Sequence, residues 1–266
     1  MTTVAALPSA LASWDDIVQR LHGDAPALFM DYDGTLTPIV EHPEDAVLTA
    51  AIREAVRAVA AVCPVSIVSG RDRTVVEALV GLSGLGYIGS HGFDICGPPE
   101  SPLRHEVGVE YLDALNAAES TLHERLARIA GATVERKRFG IAAHYRQALS
   151  RRAEVETVVR AVHAMHPALH VALGKAVFEL RPAIDWDKGR AIRWLLDRWS
   201  VAPRLPLYIG DDLTDETAFE ALSADGIGIV VADDNRSTAA QFTLRDPRDV
   251  QAFLDRLVAT VRSTLV

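Results

Sequence analysis

Asp31 and Asp33 stand two residues apart in the run Asp31-Tyr32-Asp33-Gly34-Thr35-Leu36-Thr37, at the carboxyl end of the apolar stretch Ala27 to Tyr32. On an extended chain the members of such a pair point the same way. Gly34 lets the backbone turn sharply behind them, so that amide groups face an anion. Two carboxylates presented together suit a hard divalent cation, because Mg2+ takes oxygen ligands and fills the rest of its shell with water and substrate phosphate. Taken alone, the pair also fits plain helix capping, a common task of Asp where a strand gives way to a helix.

Three further clusters point to the same chemistry. Ser69-Gly70-Arg71-Asp72 follows the apolar run Pro64 to Val68 and offers a hydroxyl and adjacent amides to phosphoryl oxygens. Gly210-Asp211-Asp212-Leu213-Thr214-Asp215-Glu216 follows the run Leu205 to Ile209 and makes Asp211 a further metal ligand; Glu216 is accounted for by the favourable field of a helix N-terminus. Lys188, in Asp185-Trp186-Asp187-Lys188-Gly189, opens an amphipathic stretch. Most lysines at such positions are solvated surface charge. Here three or four carboxylates and a phosphate dianion gather more negative charge than one Mg2+ cancels, so a fixed ammonium has a task.

The elements that must hold these groups read as an α/β fold. Short apolar runs ended by turn residues alternate with amphipathic stretches of helical length, the pattern of a parallel sheet with crossover helices. Strands are predicted at 27–32, 64–68, 86–89, 205–209 and 226–231, and helices at 49–62, 74–80, 187–199, 215–222 and 247–261. In an open parallel sheet, ligands bind beyond the carboxyl ends of the strands beside the switch in strand order. After the Pro/Gly-rich stretch Gly97 to Pro102 the pattern changes to a helix over 108–130, a hairpin, a helix over 151–165 and a second hairpin. One strand there alternates, with Phe139, Ile141, Ala143 and Tyr145 on one face and Gly140, Ala142, His144 and Arg146 on the other. The expected organisation is a doubly wound, mainly parallel α/β core of residues 1–102 and 181–266 with an α+β cap inserted at 103–180. Gly97 to Pro102 and the stretch near Pro182 are the expected hinges.

DYDGT, the serine of SGRD, Lys188 and GDDLTDE, in that order and spacing, resemble the four signature motifs of the haloacid dehalogenase superfamily of phosphotransferases. More narrowly, LFMDYDGTLTPIVEHPEDA, IGSHGFDI, VERKRFGIAAHYR, GKAVFELRPAIDWDKG and YIGDDLTDE resemble the trehalose-6-phosphate phosphatase family, over about residues 28 to 216. The resemblance implies Mg2+-dependent hydrolysis of trehalose 6-phosphate to trehalose and phosphate through an aspartyl phosphate, in trehalose biosynthesis, with chemistry in the core and sugar recognition in the cap. It makes Asp31 the nucleophile, Asp33 the general acid/base, and Ser69 and Lys188 the stabilisers of phosphoryl oxygens. Metal ligation falls to Asp31, to Asp33 through its main-chain carbonyl with the side chain left free, and to Asp211, with Asp212 and Asp215 behind them. Substrate contacts are expected from Arg71 and His91 and, in the cap, from Glu135, Lys137, Arg146, Lys175 and Glu179. Glu135 and Lys137, like Lys175 and Glu179, are separated by an even number, which puts each pair on one face of a strand. Where the family has Asn before the histidine, this chain has Ser90.

The 266 residues carry 27 Lys+Arg against 36 Asp+Glu, a net charge of −9, with 49% hydrophobic residues. That excess of acid, without a basic stripe, argues against nucleic acid or an anionic membrane as partner. The two cysteines, Cys63 and Cys96, form neither a metal spacing nor a disulfide framework. No basic residue precedes Arg20 and no apolar run reaches the ~18 residues of a membrane span, so a cytoplasmic protein is expected, its partner a small-molecule sugar phosphate; a monomer is the default expectation, and no sequence feature bears on it. His163, His166 and His170 read as surface residues, because Pro167 interrupts them and no Cys or acid accompanies them. Trp194 and Trp199 read as packing residues. Other readings of the same residues are a phosphatase for another sugar phosphate such as sucrose phosphate or mannosylglycerate phosphate, a phosphosugar mutase, and a phosphatase-like regulatory domain without turnover. A domain kept for binding alone has no physical need of Asp31, Asp33, Lys188 and Asp211 together.

Overall fold

The computed structural model describes residues 2–99, 102–174, 176–198 and 204–264. Two compact units divide the chain, one comprising residues up to His105 and from Trp186 onward, the other Glu106–Asp185. The first stretch of the larger unit holds β1 (Thr2–Thr3), α1 (Trp14–Leu21), β2 (Ala27–Asp31), α2 (Ala50–Ala60), β3 (Val65–Val68), α3 (Arg73–Val80), β4 (Gly86–Gly89), β5 (Asp94–Cys96) and β6 (Arg104–Glu106). The smaller unit consists of α4 (Leu112–Leu126), β7 (Thr133–Lys137), β8 (Gly140–His144), α5 (Arg152–Met165), β9 (Leu169–Gly174) and β10 (Val177–Pro182). The chain returns through α6 (Lys188–Asp197), β11 (Pro206–Gly210), α7 (Glu216–Leu222), β12 (Ile227–Val231), β13 (Ser237–Thr238), β14 (Phe242–Leu244) and α8 (Pro247–Thr264). Among the described residues no helix is long and apolar enough to cross a membrane.

The large sheet has the order β14-β12-β11-β2-β3-β4-β5-β6. It is parallel from β14 to β4, and β5 runs antiparallel to β4. From β2 the chain builds outward through β3 and β4, then starts again on the other side of β2 with β11, β12 and β14. The strand order therefore reverses between β2 and β11, and the loops after these two strands part around a crevice. Both faces of the strands are covered. Leu28 and Met30 of β2 join a core with Ile52, Val56, Val76 and Phe253, while Ala27 and Phe29 join another with Ile192, Leu195, Phe219 and Leu222. That two-sided burial is why these strands read as unbroken apolar runs.

Each predicted strand and helix of the larger unit is present within a few residues of its expected ends. Helix α6 begins after Asp187, whose side chain accepts from the Arg190 N–H at 2.9 Å. It ends at Asp197, and Trp199 lies outside the described residues, as do Glu100 and Ser101 of the Gly97 to Pro102 stretch. The strands that periodicity did not reveal, β1, β5, β6, β13 and β14, have two or three residues each, too few to display a repeat.

In the smaller unit the sheet order is β7-β8-β10-β9, all antiparallel. Ile141, Ala143, Phe178 and Leu180 face Leu115, Leu122, Val155 and Val159 of α4 and α5. Glu135, Ala142, Glu179 and Ala172 make one registered row and so share the opposite face. The expected continuation of that face to Arg146 does not form. Tyr145 leaves the extended region (φ −131, ψ 19), its carbonyl accepts from the Ala148 N–H at 2.8 Å, and Arg146 opens a 3-10 turn.

The closing helix α8 carries Phe253, fully buried and edge-on to Trp14 at 5.3 Å between ring centroids. Phe253→Ala should cost about 3–5 kcal/mol in urea denaturation, whereas Ile39→Ala at an exposed position should cost under about 0.5 kcal/mol. Equal losses would show that α8 is not part of the core that holds the sheet.

Candidate active site

Strand register brings the motifs to one sheet edge. Asp31, the last residue of β2, pairs with Val68, so Ser69 follows beside it; Met30 pairs with Ile209, so Gly210 and Asp211 follow on the other side. Gly34 has φ +85, and a Cβ there would lie 2.0 Å from Asp211 Oδ2, so the turn after β2 and the approach of Asp211 both require glycine.

Lys188, 3% exposed, donates from Nζ to Asp31 Oδ1 and to Asp215 Oδ1, each at 2.6 Å. Asp215 is fully buried. Its Oδ1 also accepts from the Tyr208 hydroxyl, and its Oδ2 accepts from the N–H groups of Asp211 and Asp212 at 2.9 Å. With both oxygens engaged, Asp215 braces the turn. One ligand atom from each of Asp31, Asp211 and Asp215 lies within 4.8 Å of the others.

The electrostatics of this group are unbalanced. Burial pushes Asp31 well above the usual carboxylate range; Lys188 opposes the rise, and Asp215 and Asp211 add to it. Burial, then Asp215 and Asp212, push Asp211 up to about 7. For Lys188 burial disfavours the ammonium, yet Asp215 and Asp31 outweigh it and keep the side chain protonated beyond its ordinary range. One ammonium thus faces three carboxylates, and Asp211 Oδ1 is buried without a hydrogen-bond partner. An all-oxygen donor set short of positive charge, with an orphaned carboxylate oxygen, fits a hard divalent cation.

The side chains of Asp33 and Asp212 stand outside this group. The Asp33 side chain is turned away, because Arg71 grips it with Nε to Oδ2 and Nη2 to Oδ1, both at 2.7 Å, and donates from Nη2 to the Pro43 carbonyl at 2.9 Å. That leaves the main-chain carbonyl of Asp33, the group expected to meet a metal. Asp212 is also apart: its carboxylate caps the short turn Leu213–Asp215 by accepting from the Leu213 N–H at 2.7 Å. Ser69 is buried, and its Oγ accepts from the Arg71 N–H at 3.1 Å. His91 follows β4 in the left-handed region (φ 57), and its ring packs on Gly70, where a Cβ would come within 2.5 Å.

In the smaller unit Glu179, 5% exposed, accepts from Lys137 Nζ and Arg181 Nε, each at 2.7 Å. Glu135 pairs with His144 Nε2 at 2.7 Å, and that hydrogen bond holds its carboxyl below the usual range. These five lie on the face away from the helices. Arg146 lies in the turn beyond β8, and Lys175 lies outside the described residues. Sequence reading missed His144 and Arg181 as partners, although strand parity places both beside the expected glutamates. It also missed Tyr208, and Arg236, which donates from Nη2 to the Asp211 carbonyl. Arg236 had one legible signal: it sits in the loop after a predicted strand.

A doubly wound, mainly parallel sheet with this aspartate and lysine arrangement at its switch point is the haloacid dehalogenase-like class of α/β proteins. The C-terminal domain of Candida albicans trehalose-6-phosphate phosphatase has that fold, with a TM-score of 0.76 at 22% identity, covering 95% of this chain and 98% of that one. The trehalose-phosphatase family model matches residues 29–248, and the chain belongs to that family. The trehalose-phosphate phosphatase of Mycobacterium marinum is 44% identical over 247 residues, 90% of this chain and 63% of that protein. An uncharacterized glycosyl hydrolase of Mycobacterium tuberculosis is 42% identical over 272 residues, 98% of this chain but 20% of that protein. The chain spans less than two thirds of either relative's length.

The shift at Asp211 has a sign that can be measured. A carboxyl whose folded pKa stands above its unfolded value of ~3.9 contributes stability below that value and loses it as pH rises through the folded pKa. In metal-free buffer, the melting temperature of the protein relative to Asp211→Asn should therefore fall as pH rises from about 4 to about 7. A difference that grows over this window would mean that Asp211 is held ionised by its surroundings.

Proposed function

We propose that this chain hydrolyses trehalose 6-phosphate to trehalose and phosphate, as a Mg2+-dependent phosphomonoesterase working through an aspartyl phosphate on Asp31. The observation that carries the chemistry is the buried Lys188–Asp31 contact, which holds one oxygen of Asp31 and leaves the second to face phosphorus at the sheet edge. Family membership supports the sugar.

Asp31 attacks phosphorus in line, and the leaving sugar oxygen takes a proton from Asp33, which then accepts one from the water that hydrolyses the phosphoenzyme. Lys188 and the Ser69 hydroxyl balance charge on the phosphoryl oxygens. Asp31, Asp211 and the main chain of Asp33 would hold Mg2+, which when bound neutralises charge at the phosphoryl group. Arg71 occupies both oxygens of Asp33, so this pair must part before Asp33 can donate; the substrate phosphate offers Arg71 another anion. Sugar recognition is assigned to the smaller unit, through Glu135, Lys137 and Glu179, with Arg146 and Lys175 completing the set. There the carboxylates accept sugar hydroxyls and the cations donate to them.

Phosphate release across a panel of sugar phosphates tests the substrate: trehalose 6-phosphate should be the best, and EDTA should abolish turnover with Mg2+ restoring it. Full activity without metal, or faster release from sucrose phosphate or mannosylglycerate phosphate, would overturn the corresponding part. Glu179→Ala should lower kcat/KM for trehalose 6-phosphate about 10²-fold, the scale of a lost charged hydrogen bond, and spare p-nitrophenyl phosphate. Equal falls would mean that Glu179 supports only the fold.

Rapid quench separates the two aspartates. Asp31→Asn should give no p-nitrophenol burst from p-nitrophenyl phosphate. Asp33→Asn should give a burst followed by slow hydrolysis, because that leaving group needs little protonation. The reverse pattern would exchange their roles.

A further inference from the structure

Both main-chain groups of Asp211 are held by side chains. Its N–H donates to Asp215 Oδ2 at 2.9 Å, and its carbonyl accepts from Arg236 Nη2. Its carboxylate Oδ2 is crowded against Gly34, and Oδ1 is buried with no protein partner. A residue clamped at both backbone groups, with one carboxylate oxygen crowded and the other buried and unpartnered, has its carboxylate aimed before any ligand arrives.

The two clamps differ in origin. Asp215 is four residues away in the same turn, whereas Arg236 comes from the segment between β12 and β13. That segment is itself braced. The Val4 N–H donates to the Arg236 carbonyl at 2.9 Å, and Thr2 and Thr3 pair with Thr238 and Ser237. Val4 is buried in the core that contains Phe29, Ile192 and Phe219. Arg236 Nη1 lies 3.4 Å from Asp234 Oδ2, and Nε is buried without a hydrogen-bond partner. A buried guanidinium nitrogen with no acceptor is costly, and Nη2 is the atom of this side chain that reaches Asp211.

We propose that Arg236 is a positioning residue for the metal site: its grip on the Asp211 carbonyl aims the Asp211 carboxylate at the cation, and the β1–β13 ladder holds Arg236 for that task. The inference rests on the Mg2+ reading above. It reaches residues outside the four signature motifs and makes the first residues of the chain part of the support of the site.

Removing a group that orients a metal ligand commonly lowers metal affinity 10–100-fold. Titration calorimetry of Mg2+ into metal-free protein should show Kd rising about tenfold or more in Arg236→Gln. Arg236→Lys should recover part of the affinity, since it keeps the charge and a donor nitrogen but not the planar fork. Arg193→Gln is the comparison: Arg193 also grips a carbonyl, that of Ala221, and pairs with Asp225. It touches none of the acidic group, so its loss should leave Mg2+ affinity unchanged, with melting temperatures reporting any general weakening of the fold. Wild-type Mg2+ affinity in Arg236→Gln, or an equal loss in Arg193→Gln, overturns the inference. No Mg2+ binding by the wild-type protein overturns the metal reading itself and this inference with it, and so separates the two failures.

Discussion

A buried ammonium cannot stand alone. Lys188 is 3% exposed and sits in the first turn of α6, where the helix macrodipole is itself unfavourable to positive charge. It is held by Asp31 and Asp215, and they in turn are held by it. Removing one partner of such a pair strands the other charge in the interior at a cost of several kcal/mol, far more than any surface pair contributes. Asp31 precedes the smaller unit in sequence and Lys188 follows it, so this contact joins the two segments of the larger unit at the point where the chemistry belongs.

The rest of the site is arranged around that contact by backbone constraints. The strand order reverses between β2 and β11, which makes the loops that carry Asp31 and Asp211 direct neighbours. Gly34 permits the close approach, and Asp215 holds two consecutive N–H groups of the opposing turn. Three carboxylates against one ammonium leave the group short of positive charge, and the raised Asp31 and Asp211 are the expression of that shortage. The proposed divalent cation and phosphoryl transfer would be two sides of one charge balance: anions placed to hold a metal would also repel a phosphate until the metal is there.

In the smaller unit the design is different. Its sheet buries one face under α4 and α5 and keeps on the other a row in which Ala142 lies between Glu135 and Glu179 and Ala172 lies beyond Glu179. Each glutamate is already engaged, Glu135 by His144 and Glu179 by Lys137 and Arg181, so both carboxylates are held in place, as the proposed sugar recognition would require. Fixing rotamers in advance reduces the entropy lost on binding.

Local sequence determined a good deal. Apolar runs of four or five residues, amphipathic helices between them, and the residues Asp31, Ser69, Lys188 and Asp211 at the ends of those elements were readable because strand and helix periods, turn glycines and capping are properties of neighbouring residues. The alternation around Ile141 and Ala143 likewise showed which face would be buried. What only the tertiary structure decided is which partner each charged group finds. That Arg71 turns the Asp33 carboxylate away, that Asp215 joins Asp31 and Asp211 while Asp212 stays at the turn, that β8 stops before Arg146, and that Arg236 reaches Asp211 all depend on contacts between elements distant in sequence. A charged side chain is committed by desolvation and by the donors that happen to surround it, and those are set by how the elements pack, which periodicity does not encode.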